Sequence, residues 1–248
     1  MKKYLPNTLT CCNLFSGCIA TYFAFQFEFK PALLFIVIGA VFDFFDGFAA
    51  RLLHVSSPVG KELDSLADDI TFGFAPAAIV YSMLTMALEA QTCNPTCPLT
   101  EYGITHYIPY IAFIIACFSG LRLAKFNLDE RQTTSFIGLP TPANALFWGA
   151  LAVGLNESNA LTTHNWLPAA LVIGVFLSSW LLVAEIPMFA LKFKQFGIKG
   201  NELRYGFIFC SALLLIFAGW VGFSAVIILY IITSVLNNIF GTKVVSKK

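Results

Sequence analysis

Four aspartates carry the chemistry that this sequence can do: Asp43, Asp46, Asp64 and Asp68. The first two are three residues apart and the last two four apart, so on helices each pair shares one face. Four like charges in a low-dielectric site repel by on the order of several kcal/mol, and Arg51 and His54 cannot neutralise them. An all-oxygen donor set suits Mg2+, Mn2+ or Ca2+ rather than Zn2+. Carboxylates able to bridge two ions favour a pair of them, and such a pair clamps a phosphoryl group. Arg51, about one turn beyond Asp46, is placed to hold further phosphate oxygens through a charged fork. Gly47, Ala50 and Gly60 are small enough to let helices, or a ligand, come close.

The elements that position these residues must lie in a membrane. The chain has 248 residues, of which 58% are hydrophobic and only 12% charged, with a mean hydropathy of +0.76. Soluble domains carry roughly twice that charge, and a chain this short cannot hide so much apolar surface in one water-soluble core. A net charge of +1 offers no basic field for nucleic acid. The composition predicts an all-α polytopic membrane bundle, one domain over 1–248. About eight apolar stretches are long enough to cross, at 5–26, 31–53, 60–88, 107–126, 140–156, 166–191, 205–220 and 222–240. The last two are joined by almost nothing and read either as two crossings or as a re-entrant pair. With eight crossings and a cytoplasmic N-terminus, fourteen of the fifteen Lys and Arg residues fall inside and only Lys30 outside. Both termini and all four aspartates are then cytoplasmic. The apolar stretch after Lys2 and Lys3 has no clear cleavage site and is read as a retained first helix.

The run Asp43-x2-Asp46-Gly47-x2-Ala50-Arg51-x8-Gly60-x3-Asp64-x3-Asp68 resembles, without a departure, the signature of the CDP-alcohol phosphatidyltransferase family. The resemblance implies a multi-helix membrane enzyme with two divalent cations, Mg2+ or Mn2+ with Ca2+ also compatible. Such an enzyme transfers a phosphatidyl group from a CDP-linked lipid to an alcohol and releases CMP. It also implies that Asp43, Asp46 and Asp64 are metal ligands, that Asp68 lies near the ions as general base, and that Gly47, Ala50, Arg51 and Gly60 cradle nucleotide and diphosphate. A homodimer is expected on the same ground. The opening from Leu5 to Gly17, the run Arg122-Leu-Ala-Lys-Phe-Asn127 and the run Phe136-Ile-Gly-Leu-Pro-Thr-Pro-Ala143 are similar to bacterial and archaeal phosphatidylserine synthases. Lys125 departs from them, standing where many of these relatives have Arg. The implied substrates are CDP-diacylglycerol and L-serine, in the cytoplasmic membrane.

Serine is a zwitterion and needs a cation for its carboxylate. Arg122, Lys125 and Asn127 lie at the cytoplasmic end of the fourth stretch, level with the aspartates. Arg122 is read as the carboxylate site or as a positive-inside anchor, and Asn127 as a serine contact or a helix cap. Asn7, Thr10 and Asn13 form one polar face, read as part of the cytidine pocket or as helix–helix hydrogen bonds. Glycerol 3-phosphate, inositol or inositol phosphate would be alternative acceptors, but a phosphorylated one calls for more cations than these. A divalent-cation transporter would place its acids nearer mid-membrane. Asp69 should point about 100° away from Asp68, and Glu185 is expected to be buried in the sixth stretch. The histidines scatter and are not read as ligands. Cys93 and Cys97, on an oxidising side, would form a local disulfide rather than a metal site.

Overall fold

The computed structural model describes residues 4–55, 57–92, 104–128, 136–188 and 202–245; Cys93 and Cys97 lie outside them. The described chain is nearly all helix. Helices α1 (Tyr4–Phe25) and α2 (Phe29–Leu52) form an antiparallel pair. Next, α3 (Pro58–Asp68) runs through a π-helical segment, Asp69–Phe74, into α4 (Ala75–Thr92). A 3-10 helix, Ile104–Phe113, leads into α5 (Ile114–Leu128). The remaining helices are α6 (Thr141–Glu157), the single turn α7 (Ala160–Thr163), α8 (Leu167–Val183) and α9 (Glu202–Val245).

Helix α4 sits at the centre. Ala77, Ala78, Ile79, Val80, Met83 and Leu84 are all fully buried, so it has no polar face to give to water and its alanines let neighbours approach. Phe29 and Ile36 of α2, Ile115 of α5 and Trp148 of α6 complete the core around it. The outside of the bundle is apolar instead of polar: Phe44 and Phe48 on α2 and Ile216 and Phe217 on α9 are exposed. That inverted pattern is what a bilayer accepts. Among the described residues, five helices are long and apolar enough to cross one: Tyr4–Phe25, Phe29–Leu52, Pro58–Gln91, Thr105–Leu128 and Tyr205–Asn238. This is the anatomy of a multi-pass membrane protein. Helices α6 and α8 are shorter, at 17 residues each.

Helix α9 is not straight. Gly219 adopts a non-helical conformation at φ 53°, and beyond it the chain folds back. The Phe207 ring lies 6.1 Å from that of Tyr230, although 23 residues of straight helix would hold them roughly 35 Å apart. At Gly222 a side chain would run into the Leu214 carbonyl. The two arms are therefore an antiparallel hairpin, and a glycine at the reversal is what its positive φ requires.

Two tethers define one end of the bundle. Lys30 at the start of α2 meets Glu157 at the end of α6 at 2.6 Å, and Gln91 donates to the Asn165 carbonyl. The aspartates lie at the opposite end of α2 and α3. There the structure departs from the expected helix to residue 191. The α8 helix ends at Val183, and Pro187–Met188 pairs antiparallel with Phe136–Ile137. Gly138, at φ 77°, and Leu139 donate to the carbonyls of Ile186 and Leu181. Glu185 thus stands beyond the helix and is exposed, not buried within a span.

Candidate active site

The link from α2 to α3 is short, with His54 in a left-handed turn at φ 51°. Ser57 caps α3 by accepting the Gly60 N–H at 3.0 Å, and Pro58 opens the helix, where its missing N–H costs nothing. The tight link reverses the chain so that α1 packs against both α2 and α3, and the acidic faces of those two helices meet across the site. One carboxylate oxygen each from Asp43, Asp64 and Asp68 falls within 4.8 Å of the others. Asp64 also keeps a buried oxygen, Oδ1, with no hydrogen-bond partner. Three converging anionic oxygens with an unsatisfied lone pair among them fit a hard divalent cation. Among the described residues these three form the only such group.

Asp46, the fourth acid, stands beside this group and is nearly buried. The Thr10 hydroxyl donates to its Oδ2 at 2.6 Å. Asn13, fully buried one turn along α1, donates from Nδ2 to Asp68 Oδ1 at 3.1 Å. Its own backbone carbonyl accepts the Thr71 hydroxyl at 3.0 Å. The polar face of α1 is thus a set of hydrogen bonds that aims two of the four acids.

A cavity of about 250 Å3 opens next to the acids. Asn7, Thr10, Gly47, Ala50 and Gly60 line it, together with Asp46 and Asp64. Gly60 is required by close approach, since a Cβ there would lie 3.0 Å from both Asn7 Oδ1 and Ser57 Oγ. At Gly47 a Cβ would meet nothing nearer than the Arg51 guanidinium at 3.9 Å. Arg51 itself is exposed and folds back toward Gly47, outside the cavity lining.

The three residues expected at the acceptor side separate. Arg122 is 9% exposed, its Nε has no partner, and its charge lies within reach of Asp68. Lys125 is exposed. The Asn127 side chain donates to Ser65 Oγ at 2.7 Å, and its carbonyl accepts from Lys61 Nζ. Asn127 therefore fastens α5 to α3, and its amide is not directed at the acids.

Other residues of this region escaped the sequence reading. Lys61 lines the cavity; its place beside Gly60 was the available signal. The Ser57-Pro58 cap was legible as a helix start. Asn144, on the first turns of α6, is fully buried with neither end of its amide partnered, and nothing in its spacing marks it.

With this geometry stand the relatives. The family model described as CDP-alcohol phosphatidyltransferase matches residues 3–233. The chain belongs to the CDP-alcohol phosphatidyltransferase family. Members of the CDP-alcohol phosphatidyltransferase family use divalent metal ions, which agrees with the donor set of Asp43, Asp64 and Asp68. Similar proteins include a Bacillus subtilis protein named CDP-diacylglycerol–serine O-phosphatidyltransferase, 36% identical over 184 residues, or 74% of this chain and 89% of that one. One of the same name from Mycobacterium leprae is 30% identical over 238 residues, covering 93% of this chain and 71% of its own. Another, from Saccharomyces cerevisiae, is 36% identical over 169 residues, covering 61% and 53%. The protein is an enzyme, a transferase of phospholipid biosynthesis at a membrane.

Proposed function

We propose that this enzyme transfers the phosphatidyl group of CDP-diacylglycerol to L-serine, giving phosphatidylserine and CMP. The observation that carries the reading is the convergence of Asp43, Asp64 and Asp68 beside a cavity lined by the family's small residues. The names of the relatives support serine as the acceptor.

Asp43, Asp46, Asp64 and Asp68 hold two divalent cations, Mg2+ or Mn2+, with Ca2+ compatible. When bound, such ions neutralise the diphosphate and stabilise the attacking and leaving oxygens. Thr10 and Asn13 fix the orientation of Asp46 and Asp68. Asn7, Thr10, Gly47, Ala50 and Gly60 receive the nucleotide and diphosphate, and Arg51 closes over the phosphates from the rim. Arg122 takes the serine carboxylate, with Lys125 and Asn127 flanking the approach. Asp68 accepts the hydroxyl proton of serine as its oxygen attacks the lipid-proximal phosphorus.

The rest of the reading concerns the setting. The chain is one catalytic domain that crosses the cytoplasmic membrane eight times, counting α6, α8 and each arm of α9. The termini and the acids face the cytoplasm, because that side then collects the cations, and the working unit is a homodimer. The acyl chains leave sideways past the exposed phenylalanines of α2. The test is CMP release from CDP-diacylglycerol with each alcohol offered separately. Serine should support turnover while glycerol 3-phosphate, inositol and inositol phosphate do not; turnover only with one of the latter would overturn the assignment.

A further inference from the structure

One more acid, Asp69, adjoins the acidic cluster and is not among its three converging carboxylates. Following Asp68 by one residue, it points about 100° away around the helix, toward α5. Two glycines make room for it there. A Cβ on Gly73 would lie 2.7 Å from Asp69 Oδ1, and one on Gly120 would lie 3.3 Å from Oδ2. The Ser119 hydroxyl is also 2.7 Å from that point over Gly73, so it stands next to the carboxylate. Ser119 is 0% exposed and its hydroxyl interacts with the Asp69 carboxylate, while Asp69 Oδ1 is left without a close hydrogen bond. Arg122 lies three residues beyond Ser119, on the same face of α5, and leaves Nε unpartnered in its buried setting.

Buried polar groups without partners are costly, and a fold keeps few of them unless something else completes the set. Here an Asp69 oxygen beside the Ser119 hydroxyl, and the Arg122 Nε–H on the same helix as Ser119, are incompletely bonded in the turns next to Asp68. The set has two signs. The anion is Asp69 and the cation is Arg122, whose charge lies within reach of Asp68. A zwitterion supplies both complements, an ammonium for Asp69 and a carboxylate for Arg122.

We propose that Asp69, with Ser119, holds the ammonium group of the amino-acid acceptor. Arg122 takes its carboxylate, and this two-point grip turns the serine hydroxyl toward Asp68. The inference rests on serine being the acceptor and adds the residues that select it. An alcohol without an ammonium group leaves the Asp69 charge buried and unpaired, which is how such a site rejects glycerol 3-phosphate and inositol.

The experiment uses the full-length enzyme in mixed micelles, reading CMP release, the KM for serine and the affinity for CMP. For Asp69→Asn the KM for serine should rise about tenfold or more, as expected for loss of a charge-assisted hydrogen bond. The KM for CDP-diacylglycerol and the CMP affinity should not move. Inhibition by 3-hydroxypropionate, which is serine without its ammonium, should be as strong as in wild type or stronger. Ser119→Ala, which leaves the Asp69 charge in place and removes only the hydroxyl beside it, should raise the serine KM by a smaller factor. That gentler variant decides alone if Asp69→Asn no longer binds CMP. A serine KM within twofold of wild type in the variants that bind CMP overturns the inference. So does a loss of 3-hydroxypropionate inhibition as large as the loss of serine binding. A wild-type enzyme that does not turn over serine overturns the acceptor reading and this inference together, whereas wild-type turnover with unchanged variants overturns this inference alone.

Discussion

Gly39 of α2 offers a way to disturb the aim of Asp68 without touching any charged group. A Cβ at Gly39 would lie 2.5 Å from Thr71 Cγ2 and 2.9 Å from Asn13 Oδ1. The first falls about 0.9 Å, and the second about 0.5 Å, inside the 3.4 Å at which ordinary contact begins. Overpacking of this kind costs about 1–3 kcal/mol, and alanine's better helix propensity returns roughly 1 kcal/mol. Gly39→Ala should therefore destabilise by about 1 kcal/mol. Asn13 donates to Asp68, so a shift of its amide also misplaces the carboxylate, and turnover should fall about ten- to hundredfold. Thr71→Ser separates the two effects. It removes the crowding methyl but keeps the hydroxyl that donates to the Asn13 carbonyl. Alone it should cost about 0.8 kcal/mol of buried methyl; combined with Gly39→Ala it should recover about 1–2 kcal/mol relative to additivity. Turnover should recover only in part, because Asn13 Oδ1 remains crowded. The assays are thermal unfolding in detergent and CMP release from CDP-diacylglycerol. Wild-type stability and turnover in Gly39→Ala, or strict additivity with Thr71→Ser, would refute this account of how Asp68 is aimed.

Further outcomes are expected. Asp43→Asn and Asp64→Asn should each weaken Mn2+ binding by more than tenfold, read by electron paramagnetic resonance, because even partners of metal ligands are worth that much. Chelation by EDTA should stop CMP release, and added Mg2+ or Mn2+ should restore it. Arg51→Lys should raise the KM for CDP-diacylglycerol about tenfold with little change in kcat, since an ammonium cannot reproduce the bidentate fork. Lys30→Ala should shift stability by less than about 1 kcal/mol, because the Lys30–Glu157 pair is 62% and 43% exposed, and it should leave CMP release unchanged.

What the sequence made legible, and what it hid, follows from the range of the interactions. The aspartate faces could be read because i,i+3 and i,i+4 spacing is local, and the structure brings three of the four acids together at one point. The Asp68–Asp69 divergence was likewise local geometry. The π segment was hidden, since it lies within one continuous helical run from Pro58 to Thr92 and a one-residue change of register leaves no mark on composition. Thr10 and Asn13 were visible as a polar face, but which acids they hold depends on how α1 crosses α2 and α3. Asn127 was read as a serine contact or a helix cap, and the partner of its amide, Ser65, lies on another helix where no local spacing could show it. Glu185 was misplaced because an apolar run to residue 191 reads as one span, whereas the helix ends at Val183 and Pro187–Met188 pairs with the distant Phe136–Ile137.

The central claim is that Asp68 activates the acceptor at a cluster that binds metal and nucleotide independently of that step. The direct measurement is single-turnover formation of labelled phosphatidylserine and CMP by wild type and Asp68→Asn, with CMP and Mn2+ affinities measured on the same preparations. The account predicts equimolar products in wild type. In the variant it predicts turnover lower by about 10²–10⁴-fold, with CMP still bound. Near-normal turnover in Asp68→Asn would contradict it.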